Sequence, residues 1–76
     1  MKTVGWEELN EITKNIKPEI YEVNNITFYI YQIDDNNYAM KDDAGAWKAI
    51  YRTAKEAKSD ASMYERIRVP FKVFDF

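Results

Sequence analysis

The sequence predicts an α+β domain, with an antiparallel sheet of four to five strands and two helices packed on one face, in the order α-β-β-β-β-α-β. Three observations predict it. Helical apolar stripes lie near each end of the chain, the segments between them are rich in Tyr, Phe and Ile, and Asn or Asp turns separate those segments. The 76 residues contain no cysteine, so residues 1–76 are predicted to form one compact domain held by packing, with two Trp, six Tyr and four Phe available for its core.

The first helix is predicted over residues 6–16. Its apolar residues recur on one side at helical spacing: Trp6, Leu9, Ile12 and Ile16. Gly5 is the candidate N-cap, Val4 and Leu9 are spaced for a hydrophobic staple, and Pro18 prevents continuation.

Four strands are predicted next, over residues 20–23, 26–33, 38–41 and 47–51. Asn24 and Asn25 tolerate positive φ and predict a tight hairpin between the first two. The second strand is apolar on both sides, with Ile26, Phe28 and Ile30 on one and Tyr29, Tyr31 and Ile33 on the other. We expect a central strand with one face against the helices and the other showing tyrosines to solvent or a partner.

The second helix is predicted over residues 54–67. Thr53 and Glu56 match a capping box. A stripe at helical spacing would face the sheet: Ala54, Ala57, Ala61, Tyr64 and Ile67. Residues 68–76 alternate like a final strand, which Pro70 places at an edge or start.

The residue types argue against an enzyme. The chain has no His, no Cys and no glycine-rich phosphate loop, so we predict no catalytic residue and no cofactor. Four aspartates flank the third strand and offer an alternative, a divalent-cation site of a metal-dependent enzyme: Asp34, Asp35, Asp42 and Asp43. We favour turn formation for these aspartates and predict no metal.

Charge is unevenly distributed along the chain. The net charge of −2 divides into −5 over residues 1–44 and +3 over residues 45–76, which allows one acidic and one basic surface. The start of the sequence lacks the apolar region of a secretory signal, and no apolar run approaches membrane-span length. We therefore expect a cytoplasmic protein without a membrane partner.

The start of the second helix suggests an RNA contact. The segment Ala54-Lys55-Glu56-Ala57-Lys58 resembles the basic K-K-x-A-K segment of double-stranded-RNA-binding domains, and residues 6–67 follow that family's α-β-β-β-α order with one additional strand. The resemblance implies that Lys55 and Lys58 contact phosphates beside the helix N-terminus. The family's first lysine is replaced by Ala54, and Asn24-Asn25 stands where the family has a G-P-x-H loop. Candidate RNA-binding residues are Arg52, Lys55, Lys58, Arg66 and Arg68; the alternative is an ordinary solvated helix face.

A second resemblance favours a protein partner. A strand feeding the T-x-x-E-A segment is similar to the hairpin-plus-helix ends of small phage and mobile-element proteins, and the small, acidic, Tyr- and Asn-rich chain resembles phage accessory proteins that inhibit a host or defence factor. The resemblance implies a non-enzymatic inhibitor in the host cytoplasm. Candidate protein-binding residues are Glu7, Glu8, Glu11, Tyr29, Tyr31, Asp34 and Asp35. Two alternatives remain open: the tyrosines are covered by the helices or the last strand, and the tail makes a homodimer by adding to a second copy's sheet.

Overall fold

The computed structural model describes residues 3–63 and 73–75. Its elements follow the chain as β1 (Thr3–Gly5), α1 (Trp6–Thr13), β2 (Glu19–Val23), β3 (Ile26–Asp34), β4 (Asn37–Asp42), β5 (Trp47–Tyr51), α2 (Ala54–Ser62) and β6 (Val73–Asp75). The α+β class and the order of the predicted elements are confirmed. Neither helix of these described ranges is long and apolar enough to cross a membrane.

The larger sheet is a four-stranded antiparallel meander in the order β2-β3-β4-β5. Asn24 and Asn25 have φ of 52° and 63°, as the tight turn between β2 and β3 requires. This turn pairs Val23 with Ile26 and thereby sets the register of the whole hairpin.

A second, two-stranded sheet joins the two ends of the described chain. β1 pairs antiparallel with β6, with Val4 opposite Phe74. The sequence did not predict β1. The predicted last strand over residues 68–76 is described only at Val73–Asp75, where it pairs within its own chain; Pro70 lies outside the described residues.

Helix α1 begins at the predicted residue and ends three residues earlier than predicted. Gly5 is its N-cap in an extended conformation, and Val4 and Leu9 are buried in one cluster, as a hydrophobic staple requires. The Thr13 hydroxyl donates to the Leu9 carbonyl at 2.7 Å, and the Ile16 N–H donates to the Thr13 carbonyl at 3.0 Å. These bonds close the helix with a turn that leads the chain towards β2.

Helix α2 confirms the predicted cap. The Thr53 side chain accepts a hydrogen bond from the Glu56 N–H at 3.1 Å. The helix ends at Ser62, and the Met63 N–H donates to the Asp60 carbonyl at 3.1 Å, so the predicted end at residue 67 is wrong. Within the predicted stripe Ala57 and Ala61 are buried, while Tyr64 and Ile67 lie outside the described residues.

The two helices cover opposite faces of the larger sheet, which corrects the prediction that both pack on one face. Ile26, Phe28 and Ile30 of β3 form one cluster with Met40, Ala57 and Ala61, on the α2 side. Tyr31 forms the other cluster with Val4, Leu9, Ala39 and Trp47, on the α1 side. Because alternate strand residues face opposite ways, each cluster occupies one face. A strand that is apolar on both sides needs both faces covered, and a single layer of helices would leave one of them in water.

Candidate functional site

The tyrosine face of β3 is covered rather than open. The Tyr31 side chain is only 9% exposed, and its ring centroid lies 5.5 Å from that of Trp47. The Lys41 ammonium lies 5.3 Å from the Tyr31 centroid and 5.1 Å from the Trp47 centroid, a cation–π geometry that closes over the two rings. Tyr31 is therefore a core residue, which argues against the prediction that it contacts a partner.

An open apolar position lies beside this cluster. Tyr29 is half-buried against the α1 side of the core and pairs across the sheet with Ile20 of β2 and Lys41 of β4. Ile20 is 67% exposed, on the same face as Tyr29 because directly paired residues share a face. Ile20 was not among the predicted binding residues, although the two-residue turn at Asn24 already sets the register that places Ile20 beside Tyr29.

Acidic side chains lie on the same side of the sheet as Ile20. Glu7, Glu8 and Glu11 are exposed on α1, and Glu22 is exposed on β2 opposite Thr27. Lys14 pairs with Glu11 at 3.2 Å, but both side chains are well exposed, so the pair is weak. The resulting surface has Ile20 and Tyr29 as its apolar residues and glutamates on α1 and β2. We call it the α1-side surface.

Helix α1 is held over β5 by a contact that the sequence did not indicate. The Trp47 indole N–H donates to the Asn10 side-chain oxygen at 2.9 Å. Trp47 is fully buried, so this bond satisfies a donor that would otherwise be costly to bury. The Trp47–Asn10 bond also fixes the rotation of α1 about its axis, so that the α1 glutamates face away from the sheet.

Asp34 and Asp35 belong to a different part of the molecule. They occupy the β3–β4 turn, about 17 Å along β3 from Tyr29 at the usual strand rise of roughly 3.3 Å per residue. The Asp34 carboxylate accepts from the Asn36 N–H at 2.9 Å and from the Asn37 side-chain amide at 2.8 Å. These two bonds, that from Asn36 first, lower the pKa of Asp34 below its usual value. The Asp34 carboxylate thus shapes the turn, and neither aspartate adjoins Ile20.

The four aspartates that suggested a cation site do not gather. One pair precedes β4 and the other ends it, about 17 Å apart at the usual strand rise. Asp42 is buried and occupied: it accepts from the N–H groups of Ala44 and Ala46 at 3.0 Å and pairs with Lys48 at 3.1 Å. Across residues 3–63 and 73–75 no group of three or more acidic, His or Cys side chains could hold a metal ion, and the alternative of one aspartate site is wrong.

Only some of the candidate RNA-binding residues are exposed in the described part of the chain. Arg52 and Lys55 are exposed beside the start of α2. Lys58 is directed onto β2, where it pairs with Glu19 and lies 5.6 Å from the Tyr21 ring centroid. Arg66 and Arg68 lie outside the described residues. In the described structure Arg52 and Lys55 are therefore exposed near the start of α2, while the partly exposed Lys58 contacts Glu19 and Tyr21 of β2.

Comparison of the chain with protein-family models, with curated proteins and with solved structures finds no match in any of the three. The phage-accessory and RNA-binding resemblances accordingly stay predictions.

Proposed function

We propose that this chain is a non-enzymatic binding protein that engages a protein partner through the α1-side surface. The observation that carries the proposal is the exposure of Ile20 beside half-buried Tyr29, on the face of the sheet that also presents the α1 glutamates. An apolar and aromatic centre with a charged rim is the usual anatomy of a protein–protein interface. This arrangement of residues is the support for the proposed interface.

The energetics of such an interface would come from Ile20 and Tyr29. Complete burial of an isoleucine side chain contributes about 1.5–3 kcal/mol, and tyrosine is enriched among the residues that dominate binding energy. The glutamates would contribute differently. Exposed charges add little affinity, but they accelerate the approach of an oppositely charged partner and reject a like-charged one. We therefore infer a partner with a basic surface.

The placement of the helices favours this surface over the RNA-binding alternative. Because α1 and α2 cover opposite faces, the α1 glutamates are separated from Lys55, on α2, by the sheet. A basic partner on the α1 side would meet four glutamates and the cations Lys14 and Lys41, but not Lys55. A partner held there would be occluded over the contact area, and in the proposed setting of a phage accessory protein that occlusion inhibits a host or defence factor.

The experiment that tests the proposal compares two exposed apolar residues. A photo-crosslinking side chain is introduced at position 20 or at position 63, and the crosslinked species identifies what binds at that position. These two positions are chosen because Ile20 and Met63 are 67% and 72% exposed. The affinity of the purified partner is then measured for Ile20→Asp and for the matched control Met63→Asp. We expect Ile20→Asp to weaken binding by about 30-fold or more, as a central interface residue does, and Met63→Asp to leave it unchanged.

Two outcomes would overturn the proposal. In the first, Met63→Asp weakens binding as much as Ile20→Asp while both variants keep the circular dichroism of the parent. In the second, the bound species is RNA whose gel shift weakens steeply with salt and is lost in Lys55→Glu, which would favour the basic surface beside α2.

A further inference from the structure

Strand β2 forms one edge of the larger sheet, with β3 as its only neighbour among the described strands. In an antiparallel pair, residues alternate between those that exchange hydrogen bonds with the partner strand and those whose backbone groups point away from it. Val23 and Ile26 flank the two-residue turn and form a bonded pair, so Tyr21 and Glu19 are bonded to β3 as well. The N–H and C=O groups of Ile20 and Glu22 consequently point outward.

The same two residues place their side chains on the α1-side surface. Ile20 and Glu22 pair with Tyr29 and Thr27, and both are exposed. The edge therefore presents outward backbone groups, one large apolar side chain and one carboxylate at adjacent outward positions. The opposite edge of the sheet differs, because β5 lies against β6 and contains buried Trp47.

The charge of the edge indicates what fits it. A second copy pairing β2 against β2 would bring the Glu22 side chains of both copies into one interface, and like charges in adjacent strand positions are destabilising. Since Ile20 and Glu22 lie two positions apart on one face, a segment with an apolar and a basic residue likewise two positions apart would instead set an apolar side chain beside Ile20 and a cation beside Glu22. Edge strands accept such segments through main-chain hydrogen bonds, with side chains supplying the specificity.

We propose that β2 is a strand-addition edge, and that the partner contributes an extended segment, with an apolar and a basic residue two positions apart, that pairs with the outward backbone groups of Ile20 and Glu22. This inference rests on the proposed function and names the chemistry of the partner at the same surface. The added strand extends the sheet beyond Ile20, and the α1 glutamates lie on the side that its apolar and basic residues would both face.

The first measurement is amide hydrogen exchange in the full chain. With no ligand, we expect the Ile20 and Glu22 amides to exchange fast and the Tyr21 and Val23 amides to exchange slowly. A synthetic heptapeptide of sequence Thr-Val-Thr-Lys-Thr-Val-Thr, which places valine and lysine on one face two positions apart, is then added as the probe. We expect it to slow exchange at Ile20 and Glu22 selectively. The control peptide has the same sequence with every second backbone nitrogen methylated, so that it keeps the charge but loses hydrogen bonds along one edge. It should bind at least about tenfold more weakly, since one net hydrogen bond is worth roughly a two- to tenfold factor.

A matched pair of variants tests the same groups from the side of the protein. Glu22→Pro and Glu22→Ala both remove the carboxylate, but only Glu22→Pro also removes the outward N–H, a substitution that edge strands accept. We expect Glu22→Pro to bind the probe peptide several-fold more weakly than Glu22→Ala, by the factor of one hydrogen bond.

Three results would overturn the inference. Slow exchange at Ile20 and Glu22 in the monomer without peptide would mean that the chain itself covers the edge. Slow exchange that appears with rising protein concentration and a doubled mass would identify a second copy as the occupant. Fast exchange that the peptide does not alter would mean that nothing of this chemistry adds there. The proposed function would survive each of these results if the natural partner still depends on Ile20, so the two failures are distinguishable.

Discussion

The loop between β4 and β5 depends on a buried ion pair, and breaking it is the sharpest stability test that the structure offers. Asp42 and Lys48 lie 3.1 Å apart, with side chains only 7% and 4% exposed. Asp42 also accepts two backbone N–H bonds from Ala44 and Ala46. The substitution Asp42→Ala removes three interactions at once and leaves the Lys48 ammonium without its carboxylate.

The magnitude follows from the burial of both groups. Removing one partner of a buried pair costs about 3–5 kcal/mol, because the other charge stays desolvated. For a domain of this size each kcal/mol lowers Tm by about 4–8 °C, so Asp42→Ala should lower Tm by at least about 12 °C. Lys48→Met should cost less, about 1–3 kcal/mol, since Asp42 keeps its two backbone donors. The double variant should be more stable than Asp42→Ala alone, because it also removes the buried ammonium that has lost the Asp42 carboxylate.

The assay is urea unfolding followed by tryptophan fluorescence, which reports on fully buried Trp47 beside this loop. All four proteins are compared: the parent, Asp42→Ala, Lys48→Met and the double variant. Destabilisations that simply add in the double variant would refute the reasoning, because two groups in direct contact with a buried charge between them must be coupled. A loss below about 1 kcal/mol in Asp42→Ala would refute it too, since that is the range of exposed pairs.

Three further predictions concern local structure. Thr53→Ala should lower the free energy of unfolding by about 1 kcal/mol in urea titrations, because it removes the side-chain cap of α2. Asn25→Gly should be nearly neutral in thermal melts, because glycine accepts positive φ. Asn24→Gly should be the more destabilising of the two, since it also loses the 3.0 Å bond from the Asn24 amide to the Ser62 carbonyl. Equal melting temperatures of the two variants would contradict that contact. Asp34→Asn should destabilise the protein at neutral pH, and the difference in urea midpoint from the parent should shrink as pH falls below 3.8. The reason is that a carboxyl with a lowered folded pKa stabilises the fold above its unfolded pKa and loses that contribution on protonation. A difference in urea midpoint that grows in acid would contradict the turn bonds.

Local patterns in the sequence predicted the elements well because each depends on near neighbours. The Thr53 cap, the Asn24-Asn25 turn and the start of α1 at Trp6 are set by residues within one turn of each other. The boundaries that failed were helix ends. Helix α1 ends at Thr13, where the Ile16 N–H bonds to the Thr13 carbonyl, although the apolar spacing continues to Ile16.

The features that escaped prediction depend on contacts between distant parts of the chain. β1 is three residues long and exists by pairing with β6 at the far end of the chain. The Asn10–Trp47 bond joins residues 37 positions apart in the sequence, and neither residue type predicts it. The pairing of Lys58 with Glu19 likewise escaped prediction, because it depends on the packing of α2 on β2.

The placement of the helices was predictable in part. A β3 strand that is apolar on both faces already implied that both faces need cover, yet the alternating pattern alone did not say which helix would cover which. The consequence for the candidate surface is direct. Tyr31 is lost to the core, and its neighbour in the sheet Tyr29, with Ile20 paired to it, remains at the edge of the covered area.

The most direct test of the central claim, that the partner binds the α1 side of the sheet, is carbodiimide labelling of carboxylates with and without the purified partner. The account predicts that the partner protects Glu7, Glu8 and Glu22 on that side and leaves Glu56, exposed on α2, labelled as before. Protection of Glu56 with unchanged labelling of the other three would place the partner on the opposite face and contradict the account.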